Sequence, residues 1–220
     1  MYCNKHYELI VFDWDGTLMD SAGMIVDSVQ AAARDLGLEP PPEARARHII
    51  GLGLVEALRH ALPDLPEERY EDLVERYRHH YLSRDHELVL FSGANLLIQG
   101  LAAGGYRLGV ATGKSRRGLD RALEQSGLGS CFHATRCADE CLSKPHPQML
   151  EELMAEFAVS PATTLMIGDT THDLLMAKNA GVDAVAVTYG AHPRDVLEAV
   201  APSYCANSVS DLAAWLQANA

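Results

Sequence analysis

Leu9-Ile10-Val11-Phe12-Asp13-Trp14-Asp15-Gly16-Thr17-Leu18 is an apolar run, rich in β-branched and aromatic residues, that stops at two acids and a glycine. A run this short, bounded by Asp-Gly, predicts a buried strand ending in a tight turn. Both carboxylates then lie where the strand runs out. In open α/β sheets ligands bind outside the carboxyl ends of the strands, which places Asp13 and Asp15 for chemistry rather than packing. Gly16 lets the backbone turn sharply and approach a ligand closely. Taken alone, the segment also fits an ordinary strand-to-turn junction, because turns favour Asp and Gly. The rest of the chain decides between the two.

Directly after this turn the pattern is helical. Asp20-Ser21 is placed to cap a helix whose apolar residues Ile25, Val29, Ala32 and Leu36 recur at helical spacing, with Gly37 as its end. Pro40-Pro41-Pro42 is a rigid connection. Glu43 to Ala61 reads as helix interrupted at Gly51-Leu52-Gly53, and a further helix follows Pro66 with Tyr70, Leu73, Val74, Tyr77 and Tyr81 on one face. From Gly93 onward strands and helices alternate. Short apolar strands are expected at Tyr106 to Ala111, Phe132 to Arg136, Thr164 to Ile167 and Ala184 to Val187, with helices between them and a last one near Ser208 to Ala218. This alternation defines a doubly wound α/β fold with a mostly parallel sheet. The expected division is a catalytic core of residues 1–18 and 92–220 and an all-helical insert of residues 19–91.

A chain of 220 residues with 48% hydrophobic and 22% charged residues has the composition of an ordinary globular protein. Its formal charge of −12 argues against nucleic-acid binding and against partnership with anionic membranes, since phosphate backbones are met by clustered Lys and Arg. No apolar stretch approaches the roughly 20 residues of a membrane span, and the amino terminus shows no signal-peptide pattern, so a cytoplasmic location is expected. Cys3, Cys131, Cys137, Cys141 and Cys205 form no C-x-x-C pair, which suits free thiols in a reducing compartment. Monomer and homodimer both remain open.

The predicted strand ends and neighbouring loops carry, in order, Asp13 with Asp15, Thr112 with Gly113, Lys144 with Pro145, and Gly168-Asp169-Thr170-Thr171-His172-Asp173. In a parallel sheet these ends share one edge, so residues distant in sequence meet at one site. In this order they resemble the motifs of the haloacid dehalogenase superfamily: D-x-D-G-T at Asp13 to Thr17, a strand ending at Thr112-Gly113, Lys144-Pro145, and G-D-x-x-x-D at Gly168 to Asp173. The resemblance covers essentially the whole chain and is to phosphoglycolate phosphatase-like members. It implies a Rossmann-like core, makes the helical insert that family's small cap domain, and makes the backbone carbonyl at Asp15 a metal ligand.

The residues carry a chemistry of their own beside that likeness. Phosphoryl transfer depends mainly on positioning and charge neutralisation. The Asp13 carboxylate can attack phosphorus and form an aspartyl phosphate, and Asp15 can protonate the leaving oxygen and later deprotonate water. The Thr112 hydroxyl and the Gly113 N–H can bind phosphoryl oxygens, while Lys144 separates nucleophile from phosphate. Asp169 and Asp173, with Asp13, are hard oxygen ligands of the kind Mg²⁺ prefers. Ionised Asp13, Asp169 and Asp173 balance the charge of Lys144 and one Mg²⁺, leaving Asp15 free to start protonated.

The expected activity is therefore a Mg²⁺-dependent phosphatase acting on a small phosphorylated metabolite, phosphoglycolate-like. The alternatives are a sugar phosphomutase on the same scaffold, a phosphonate hydrolase or dehalogenase, and, more remotely, a receiver-type phospho-acceptor module. Arg45 or Arg47 could reach a substrate anion, though each fits equally a surface arginine. His172 reads as a second layer behind the metal ligands or as exposed, and Trp14 as core filling.

Overall fold

The computed structural model describes residues 7–220 and places Cys3 outside the described part. Among the described residues six parallel strands form one sheet: β1 (Leu9–Phe12), β2 (Arg107–Thr112), β3 (Ala134–Cys137), β4 (Thr164–Gly168), β5 (Asp183–Val187) and β6 (Tyr204–Ala206). Their order is β3-β2-β1-β4-β5-β6, so β1 lies between β2 and β4 and the winding reverses on either side of it. That reversal opens a crevice at the carboxyl end of β1.

Strand β1 is buried along its whole length because it is covered on both faces. Ile10 and Phe12 enter one apolar cluster with Leu108, Val110 and Ile167, whereas Leu9 and Val11 enter the other with Met149, Leu153 and Met166. The side-chain period of two sends alternate residues to opposite faces, and both faces receive hydrocarbon. The covering helices of the core are α5 (Ala94–Ala103), α6 (Arg116–Ser126), α7 (Gln148–Phe157), α8 (Thr171–Ala180), α9 (Arg194–Glu198) and α10 (Val209–Asn219). Among the described residues no helix is long and apolar enough to cross a membrane.

Between β1 and α5 stands the helical insertion: α1 (Ala22–Asp35), α2 (Glu43–His48), α3 (Leu54–Ala61) and α4 (Tyr70–Arg84). It has an apolar centre of its own, built from Val29, Ala32, Leu58, Ala61, Tyr70 and Leu73. A second, smaller cluster joins Ile25, Val26 and Ile50 of the insertion to Ala191 of the core. The chain enters and leaves the insertion along paired backbone. The Asp20 N–H donates to the Val89 carbonyl at 3.0 Å and the Phe91 N–H to the Leu18 carbonyl at 2.9 Å.

Candidate active site

Register fixes what meets at the crevice. Phe12 lies beside Val110 on one side and Ile167 on the other, so Asp13, the end of β2 at Thr112 and the end of β4 at Gly168 emerge together. Asp13, Asp169 and Asp173 are all fully buried, and each offers a carboxylate oxygen within 4.8 Å of the others'. Lys144 arrives from the loop before α7, and its Nζ donates to Asp13 Oδ1 and to Asp173 Oδ1, each at 2.6 Å. Asp13, Asp169, Asp173 and Lys144 are thus brought together, while Asp15 is 7% exposed and Thr112 is buried at the end of β2.

The local fold holds each acid by different means. Asp173 is the third residue of α8 and closes a capping box. Its Oδ2 accepts the Thr170 N–H at 3.1 Å and the Thr170 hydroxyl at 2.7 Å, while the Asp173 N–H donates back to Thr170 Oγ1. Asp169 accepts from the Thr17 hydroxyl at 2.9 Å and from the Ala191 N–H at 2.7 Å. Gly16 has φ +83°, and a Cβ there would run into the Asp169 carboxylate, so the D-x-D-G turn requires glycine twice over. In contrast, Asp13 Oδ2 is buried and has no hydrogen-bond partner among the described residues. A buried anionic oxygen left bare is costly unless something else meets it.

The electrostatics follow from this burial. Desolvation pushes the Asp13 carboxyl well above the usual carboxylate range; Lys144 opposes that, and the Asp173 and Asp169 charges add to it. Asp169 is pushed up to about 7, first by burial and then by Asp173. For Lys144 burial acts downward, but the charges of Asp13 and Asp173 outweigh it and the ammonium is held above its ordinary value. One buried lysine therefore faces three buried acids, and the cluster is short of positive charge.

Asp15 points the other way, toward the insertion. Its carboxylate accepts from the Ser21 hydroxyl at 2.7 Å and from Lys114 Nζ at 2.9 Å. Lys114 also donates to the Tyr81 hydroxyl at 2.9 Å and lies 4.9 Å from that ring's centre. Ser21 occupies the position before α1, yet its side chain makes no capping bond; the hydroxyl expected to cap the helix is taken by Asp15 instead. Neither Lys114 nor the acid-binding role of Ser21 was legible in advance. The available signal for Lys114 was a lysine immediately after the strand-ending Thr112-Gly113. A Cβ at Gly113 would strike the carbonyls of Gly51 and Leu52, so the loop from the insertion rests directly on this strand end.

A second contact between insertion and core is made of histidines. The carbonyl of His48, at the end of α2, accepts from His172 Nε2 at 2.7 Å and from His192 Nε2 at 3.2 Å. The Thr171 N–H donates to His192 Nδ1 at 3.1 Å, which fixes the ring as the neutral Nε2–H form. The rings of His48 and His192 stack at 4.9 Å. Burial lowers His172 and, with His172 beside it, brings His192 down to about 4. His172 is thus buried and structural, while His192 was not singled out from the sequence. Arg45 is exposed and Arg47 is paired with Glu43 at 2.9 Å.

An α/β core with acids, lysine and threonine at the switch point, under a helical cap, defines a class of hydrolases, and sequence comparison agrees. The family described as haloacid dehalogenase-like hydrolase matches residues 10–187. The chain is 38% identical over 214 residues to the probable phosphatase IndB of Dickeya dadantii, covering 93% of this chain and 91% of that one. It is 30% identical over 217 residues to a phosphoglycolate phosphatase of Vibrio vulnificus, covering 94% and 95%. A crystal structure of a predicted phosphatase from Clostridium acetobutylicum superposes with a TM-score of 0.85 at 25% identity, covering 96% of this chain and 99% of that one. The chain belongs to the haloacid dehalogenase-like hydrolase family.

Proposed function

We propose that this protein is a Mg²⁺-dependent phosphatase that cleaves monoesters of a small phosphorylated metabolite through an aspartyl phosphate. The observation that carries the reading is Asp13 Oδ2, the bare buried oxygen beside a lysine-paired twin. In this reading Asp13 Oδ2 attacks phosphorus, the bond from phosphorus to the leaving oxygen breaks, and Asp15 delivers a proton to that oxygen. In the second half Asp15 takes a proton from water as the water oxygen bonds to phosphorus and the bond to Asp13 breaks, releasing inorganic phosphate. The Thr112 hydroxyl and the Gly113 N–H hold phosphoryl oxygens. Lys144 favours the ionised nucleophile against the burial that opposes it and relieves its repulsion from the phosphate.

A divalent cation fits the acid cluster. The donors are hard carboxylate oxygens, the positive charge is deficient, and one buried oxygen lacks a partner. Asp13, Asp169 and Asp173, with the Asp15 carbonyl, would hold it. When bound, Mg²⁺ supplies the charge that neutralises phosphoryl oxygens. We take residues 1–18 and 92–220 as the core and 19–91 as the cap, in a cytoplasmic enzyme whose free thiols suit a reducing compartment. Relatives named phosphoglycolate phosphatase make 2-phosphoglycolate one candidate ester. The test is phosphate release from a panel of small phosphate esters. Release is expected with Mg²⁺, to be lost in EDTA and to return when Mg²⁺ is restored. Release that EDTA leaves intact would overturn the metal assignment, and release that waits on a bisphosphate activator would favour a mutase.

A further inference from the structure

Beyond Asp15 the crevice between cap and core opens into a chamber of about 760 Å³, and its shape bears on what the phosphate is attached to. Sites of roughly 300–1,000 Å³ enclose ligands of several tens of atoms, far larger than a two-carbon acid. The cap side of the chamber is largely hydrocarbon, supplied by Ile25, Val29 and Leu58 together with Tyr77 and Tyr81. Those two tyrosines stack on each other with centroids 5.8 Å apart, forming an aromatic face along α4. Val55 and Leu82, also in the lining, keep 48% and 45% of their surface exposed. Exposed large apolar residues gathered around one cavity mark a binding surface rather than incidental exposure.

The cations of the lining are either paired or exposed. Lys114 is held by Asp15 at 2.9 Å and by the Tyr81 hydroxyl at 2.9 Å, and Arg121 is paired with Asp85 at 2.7 Å. The other arginines of the lining, Arg78 and Arg117, are exposed. A carboxylate one carbon from the ester oxygen would be held near Asp15 and its already matched lysine. A neutral ring placed there meets hydrocarbon and tyrosine faces instead, and gains from the burial of both.

We propose that the leaving group is an uncharged, ring-bearing alcohol that lies against Tyr77 and Tyr81, and that a small acid such as glycolate is a poor leaving group here. The inference rests on the phosphatase reading. Benzyl phosphate, ethyl phosphate and 2-phosphoglycolate, assayed with saturating Mg²⁺, separate the two. Benzyl alcohol and ethanol are leaving groups of similar basicity, so a difference between their esters reports binding rather than intrinsic reactivity.

The expected result is a kcat/KM for benzyl phosphate at least about 10-fold above both others, carried mainly by KM, as for filling an apolar pocket. Tyr77→Ala and Val55→Trp, one stripping the aromatic face and the other filling the chamber, should each pull the benzyl-to-ethyl ratio toward one. That ratio is taken within a single preparation and is independent of the fraction folded. Equal kcat/KM for the three esters, or a preference for 2-phosphoglycolate, overturns the inference and leaves the phosphatase reading standing. A benzyl preference that both variants leave intact also overturns it. Release from none of the esters overturns the phosphatase reading and the inference with it.

Discussion

The two ends of the crevice are built on opposite terms. At the phosphate end, Asp13, Asp169, Asp173 and Lys144 are buried and tied to one another and to fixed backbone, leaving one oxygen unmet. At the cap end, apolar and aromatic side chains line an open chamber, Val55 and Leu82 among them exposed, and its charged residues are paired or exposed. The sheet dictates the first end, because the acids leave adjacent strands whose register is set by the core. Helices outside the sheet dictate the second. On the proposed reading, the difference teaches that the reacting atoms and the identity of the substrate are controlled by separate parts of the chain, so that each part can be perturbed without the other.

The largest effect should come from breaking the phosphate end. Asp13→Asn keeps the volume and removes the proposed nucleophile, so steady-state phosphate release is expected to fall on the order of 10⁴-fold or more while the far-UV spectrum stays native. Normal turnover by that variant would remove Asp13 from its assigned role. Asp15→Asn removes the proposed proton donor together with the charge that pairs Lys114, and is expected to cost about 10²–10⁴-fold. A smaller loss than that for Asp13→Asn under the same assay sharpens the division of labour between the two acids.

Stability should show the same asymmetry. Lys144→Met strips the shared cation from two buried carboxylates 2.6 Å away, and losing one partner of a buried pair costs about 3–5 kcal/mol. Urea unfolding of the metal-free protein measures it. An unchanged midpoint would mean that the acids are already protonated and that Lys144 does not hold them.

The smallest effect lies at the histidine contact between cap and core. His192 is held at about 4, below the ordinary imidazole value of about 6.5. A depressed folded-state value means that protonation favours the unfolded chain. The stability this ring contributes is therefore present above about pH 6.5 and is lost as the pH falls toward 4, by roughly 1–3 kcal/mol. Urea midpoints measured with saturating Mg²⁺ should fall across that window. His192→Gln should flatten the fall without abolishing it, since His172 is lowered as well. A wild-type slope in that variant would place the pH dependence elsewhere.

Much of this was legible in the sequence, for reasons that differ by element. Strand β1 announced itself because burial on both faces demands an unbroken apolar run, and Asp-Gly ended it where the crevice had to be. Asp169 and Asp173 were legible because they follow a short apolar strand in the run Gly168-Asp169-Thr170-Thr171-His172-Asp173, and the structure adds that Asp173 closes a capping box. Strand β6 was missed: Tyr204–Ala206 has three residues at the sheet edge, too few for a period of two to register. Helix α9 was missed for the same reason of length, with Arg194–Glu198 completing little more than one turn. Lys114, Ser21 and His192 eluded sequence reasoning because their roles arise between elements. Tyr81 meets Lys114 from 33 residues away and His192 meets the His48 carbonyl from 144 away, distances that no local pattern encodes.

The paired backbone at Leu18–Asp20 and Val89–Phe91 brings the two ends of the insertion side by side. Loop-closure cost depends only weakly on length, so the chain between those points is free to lengthen, shorten or be replaced wholesale while β1 and its neighbours keep their register. The gateway is a suture line. Grafting a different set of helices across it would hand the same phosphorus chemistry to a different clientele of molecules, and joining the ends with a tight turn would leave the sheet bare of its lid.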